Sequence, residues 1–82
     1  MNPLTLAPET IPVLMSRLTP RQLEIVGLLA QGYSNKQVAS ILGVRRVTIQ
    51  AHIYNACHRC NVKNKTLLIV AFVENRMRSV IE

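Results

Sequence analysis

The stretch 19–43, TPRQLEIVGLLAQGYSNKQVASILG, carries one local pattern twice. Thr19 suits a helix N-cap, Pro20 suits the first helical position, and Gln22 three residues on completes a capping box. Leu23, Val26, Leu29 and Ala30 follow at helical spacing until Gly32 offers a left-handed stop. Ser34 and Gln37 repeat the box, Val38, Ala39, Ile41 and Leu42 repeat the apolar stripe, and Gly43 ends it. Helices of about twelve and about eight residues, joined by a glycine-containing turn, predict helix–turn–helix packing.

Gly43-Val44 then turns the chain into a third helix, expected over Arg46 to Cys60. Val47, Ile49, Ile53, Ala56, Cys57 and Cys60 form its expected inner stripe, leaving Arg46, Gln50, Asn55 and Arg59 largely on other faces. Asn61 tolerates positive φ and suits the C-terminal stop. Asn64 can cap a fourth helix from Lys65 to about Ser79. No strand alternation occurs, so the expected fold is all-α: a four-helix domain over 18–82 behind a short arm, 1–17. Pro3, Pro8 and Pro12 favour an extended arm with at most one helical turn. Leu4, Leu6, Ile11, Val13, Leu14 and Met15 are too many apolar groups for a solvated linker, so part of the arm is expected to pack on the domain or on a partner.

At 82 residues there is room for one small domain, which buries only about 60% of its unfolded surface. That size excludes most metabolic enzymes, and no active site is legible: Glu24, the only acid between Leu18 and Val73, has no partner carboxylate or base nearby in sequence. The longest apolar run, Leu67 to Val73, has seven residues, well short of the ~18 a spanning helix needs. The N-terminus lacks the basic-then-apolar pattern of a signal peptide. Two cysteines make no disulfide framework, which points to a reducing cytoplasm.

The charge points to a polyanion. Ten Lys and Arg against four Asp and Glu give +6, and the excess is lopsided: residues 45–82 carry a net +5, residues 1–44 only +1. From Arg45 to Lys65 there are five basic residues and no acid. A basic block without interleaved carboxylates suits nucleic acid, because each Lys or Arg on a phosphate releases counterions.

Cys57-His58-Arg59-Cys60 offers three potential metal ligands in four residues. His58 points about 100° away from Cys57 on a helix, and no fourth ligand is in register. Both cysteines fall in the inner stripe, where Cys acts as a small hydrophobe. No metal, redox centre or cofactor is therefore expected. The fourth helix is apolar on every side over 67–73, whereas a helix on one core needs only a stripe. Its second face is expected to be covered by a second subunit, by the arm, or by both.

Leu18-Thr19-Pro20-Arg21, Leu28-Leu29-Ala30-Gln31-Gly32, Ser34-Asn35-Lys36-Gln37-Val38-Ala39, Leu42-Gly43-Val44, Val47-Thr48-Ile49-Gln50-Ala51-His52-Ile53 and Val62-Lys63-Asn64-Lys65-Thr66 stand in order and in register. Together they resemble the LuxR/FixJ-type (GerE-like) DNA-binding domain of bacterial transcription regulators, over about Leu18 to Val80. The resemblance implies that the third helix enters the major groove and that the fourth mediates dimerisation on a two-fold-related operator. It implies backbone contacts from Lys36, Thr48 and His52, a thymine methyl facing Ile49, and base edges within reach of Gln50. Gln pairs in two-point fashion with adenine, and apolar groups in the groove read the thymine methyl. Lys63 and Lys65 are expected to add sequence-blind phosphate contacts.

Four positions depart from the family pattern. Arg45 stands where Ser or Thr usually caps the recognition helix, and Arg45-Arg46 sets two cations beside the positive end of its dipole. That arrangement becomes favourable with a phosphate or guanine there. Gln50 replaces the usual Lys, and Cys60-Asn61 the usual Leu-Gly. Leu68, Ile69, Phe72, Val73 and Arg76 form the expected dimer face. The expected function is a homodimeric, sequence-specific regulator in the bacterial cytoplasm, at the nucleoid when bound. Family members often carry a receiver or ligand-binding domain ahead of this module; seventeen residues cannot fold into one, so the chain is expected to be a stand-alone module or a fragment. The alternative is a module that pairs with another regulator or with RNA polymerase without specific DNA binding.

Overall fold

The computed structural model describes residues 15–81, with side chains through residue 77. Its described residues form four helices: α1 (Pro20–Ala30), α2 (Asn35–Leu42), α3 (Arg46–Cys60) and α4 (Lys65–Ile81). Three start where the sequence predicts a cap, two of them with the expected reciprocal bonds. The Gln22 amide donates to Thr19 Oγ1 at 3.1 Å and the Thr19 amide to Gln22 Oε1 at 3.0 Å. Ser34 and Gln37 repeat this at 3.1 and 2.9 Å. Asn64 Oδ1 accepts from the Leu67 amide at 2.9 Å. Each such cap is worth about 1 kcal/mol. α4 runs two residues past its expected end at Ser79.

The stops are equally local. Gly43 (φ 70°) and Asn61 (φ 53°) occupy the left-handed region. The residue after each sends its amide back five positions, Val44 to Ala39 and Val62 to Cys57, both at 3.0 Å. Those bonds satisfy carbonyls that a helix end leaves open.

Ile25, Val26 and Leu29 of α1, Val38 and Ala39 of α2, Ile49, Ile53, Ala56 and Cys60 of α3, and Leu68 and Ala71 of α4 make one core. α1 packs on α3 and α4, and α2 packs on α3. Met15 and Leu18 are also buried in this core, so the end of the arm does pack on the domain. The rest of the arm, 1–14, lies outside the described residues.

The stripes differ from expectation in three places. In α1, Ile25 takes a core position and Leu23 sits at its margin. In α2, Ile41 is exposed. In α3, Val47 is 60% exposed while Ile49 is fully buried. Two positions along a helix turn by about 200°, so Val47 and Ile49 cannot share a face, and the core takes Ile49.

Candidate nucleic-acid interface

With Ile49, Ile53, Ala56 and Cys60 turned inward, about 100° per residue puts Val47, Ala51, Tyr54 and His58 on the opposite side of α3. All four are exposed, with Gln50 and Asn55 at the edges of the same face. Tyr54 is 65% exposed, and its ring lies 4.7 Å from that of His58, tilted by 58°. The face is thus half apolar and half hydrogen-bonding, as a surface must be to meet both methyl groups and base edges.

Ile49 is the first correction. A side chain with no exposure has no access to a thymine methyl, and its burial anchors α3 in the common core. Val47 and Ala51 are the apolar groups on the open side. Sequence reasoning missed both, and Tyr54 with them. Gln50 and Tyr54 are four residues apart, which was the available signal.

Arg45 is the N-cap of α3, with extended backbone and no side-chain bond to the helix. Arg46 follows on the first turn, exposed. The first-turn amides and the dipole add to their positive potential. Restoring the missing cap with Arg45→Ser is expected to add about 1 kcal/mol and raise the melting midpoint by about 4–8 °C, checked by thermal unfolding. An unchanged or lower midpoint contradicts the reading of this helix start.

Lys63 stands on the connection from α3 to α4 and Lys65 opens α4, where its Nζ donates to Asn35 Oδ1 at 3.2 Å. That bond joins the starts of α2 and α4. Between them lies a recess of about 320 Å³, whose polar lining is Asn35, Gln50, Tyr54, Lys63, Asn64 and Lys65. Gln50 is brought together here with Lys63 and Lys65 from beyond the far end of α3. Lys36 is exposed on α2, and Thr48 and His52 are half-buried on one flank of α3. Among the described residues the acids are Glu24, paired to Arg21 at 2.7 Å, and Glu74 of α4. No carboxylate lies on α2, α3 or the connection after it.

Cys60 is core and Cys57 half-buried. Burial pushes both thiols up, Cys60 despite the opposing charge of Arg17. Thiols held protonated are poor ligands and poor nucleophiles. Among the described residues no three His, Cys, Asp or Glu side chains gather as a metal site requires.

Leu68 is the second correction. It is fully buried within the single chain, so it belongs to the core and not to a dimer face. Ile69 and Phe72 pack at the core margin, and the Arg76 guanidinium lies 5.8 Å from the centre of the Phe72 ring. Val73 and Met77 are exposed. The outer face of α4 is therefore Ile69, Val73, Arg76 and Met77. No described helix is long and apolar enough to cross a membrane.

The family description "Bacterial regulatory proteins, luxR family" matches residues 16–72. The chain belongs to the luxR family. Its luxR relatives include the "Nitrate/nitrite response regulator protein NarP" of Escherichia coli, 39% identical over 61 residues, 74% of this chain and 28% of that protein. The "Response regulator protein VraR" of Staphylococcus aureus is 35% identical over 63 residues, 76% of this chain and 30% of its own length. The "HTH-type transcriptional regulator MalT" of Vibrio campbellii is 40% identical over 55 residues, 67% of this chain and 6% of that protein. The chain thus spans less than a third of each of these luxR regulators. No solved structure matches it.

Proposed function

We propose that this luxR-family domain binds double-stranded DNA with α3 in the major groove, as a homodimer that regulates transcription in the bacterial cytoplasm. The observation that carries the reading is the acid-free surface of α3, open on its Val47–Tyr54 side and bounded by Arg45 and Arg46 at one end and Lys63 and Lys65 at the other. Gln50 and Tyr54 read base edges, and Val47 and Ala51 meet thymine methyls. Lys36, Arg45, Arg46, Thr48, His52, Lys63 and Lys65 hold phosphates, setting position without reading sequence. Ile69, Val73, Arg76 and Met77 form the contact between copies, with Phe72 behind them.

Selection from a random duplex pool, with sedimentation of free and bound protein, tests both halves. A two-fold-symmetric site bound by two copies is the expected result. Arg45→Ser is expected to weaken binding to that site and flatten its log–log salt slope by about 0.9, the share of one phosphate contact. No enrichment, with only weak and salt-labile binding, overturns the reading. It would direct the search to a protein partner for α4, another regulator or RNA polymerase.

A further inference from the structure

Arg59, in the last turn of α3, lies two turns from His52 and so on the same flank of the helix. Its guanidinium donates to the Arg17 carbonyl at 3.0 Å, across 42 positions of sequence. The segment it grips is a turn fixed at both ends. Met15 and Leu18 are each buried in the core that contains Cys60, and the Leu18 amide donates to the Met15 carbonyl at 3.2 Å. The Arg17 charge acts on the Cys60 thiol, which sets the turn beside the last turn of the recognition helix.

We propose that residues 15–18 are a clasp on the C-terminal end of α3 and that Arg59 is its positioning residue. The other end of α3 is held by the three-residue turn from α2, so the clasp completes a two-point mount. Phosphate contacts need their donors placed within about 0.5 Å, and the mount fixes the flank that carries Thr48 and His52. The Arg59 bond is exposed to solvent, so the turn opens more easily than the core beneath it. The inference rests on the DNA reading above.

The test compares Arg59→Met, which keeps the aliphatic stem, with Arg59→Lys, which keeps a charged donor, both in the full chain. Amide exchange at Leu18 is measured in free protein, and affinity for the selected duplex at two salt concentrations. Arg59→Met is expected to speed Leu18 exchange about fivefold and weaken site binding about as much, with the salt slope unchanged. Arg59→Lys restores both. Unchanged exchange in Arg59→Met overturns the clasp. Faster exchange with undiminished affinity overturns the positioning role. A slope shallower by about one with exchange unchanged makes Arg59 a direct phosphate contact instead. A wild-type chain that selects no site overturns the DNA reading and the positioning role together, while exchange still decides the clasp.

Discussion

Ile49→Ala is expected to cost about 2–5 kcal/mol of stability, the range for truncating a fully buried aliphatic side chain. Ile49 has no exposure and belongs to the core shared by all four helices. A domain of this size holds only about 5–15 kcal/mol in total, so the loss takes a large share of it. Denaturant unfolding with a constant m-value is the measurement, and a marked drop in midpoint is the expected outcome. A side chain that served only as a base contact behaves oppositely: stability stays put and DNA affinity falls. An unchanged midpoint would therefore restore Ile49 to the groove and reverse the orientation of α3 argued above. Val47→Ala, on the open face, supplies the contrast, with stability nearly unmoved.

Gln50→Ala is expected to relax preference at one base pair of each half-site by about 1–3 kcal/mol, roughly tenfold to a hundredfold in relative affinity. The two-point pairing of Gln with adenine is what is lost. Stability should hold, because Gln50 is exposed and caps no helix. Tyr54, one turn further along the same face, should affect a different position, and because both side chains line one recess the double substitution should depart from additivity. The measurement is competition among single-base variants of the selected site. A uniform loss across all variants would make Gln50 a phosphate contact and leave sequence reading to other residues. Relaxation at one position with unchanged salt slope is the signature of base readout.

Helix limits in this chain were legible because they are local. Thr19 with Gln22, Ser34 with Gln37, and Asn64 with Leu67 each settle a start within four residues. Gly43 and Asn61 settle ends by the backbone region they tolerate. The family pattern was legible for the same reason, being a string of short motifs in fixed register. The excess of cations from Arg45 onward needed only counting.

What the sequence left open was which apolar side chains face which neighbour. Val47 and Ile49 are both β-branched and apolar, so hydrophobicity ranks them alike, and only the placement of α1 and α2 chooses between them. Over 67–73 every residue of α4 is apolar, so no stripe singles out Leu68 as core and Val73 as surface. The pairings of Lys65 with Asn35 and Arg59 with Arg17 span 30 and 42 positions, beyond any local signal. Sequence by itself determined the helices, their caps and the cationic half, because those depend on neighbours within one or two turns. The tertiary structure decided which side of α3 is open, which face of α4 is outermost and that Arg59 meets residue 17, because burial and contact depend on what the rest of the chain brings alongside.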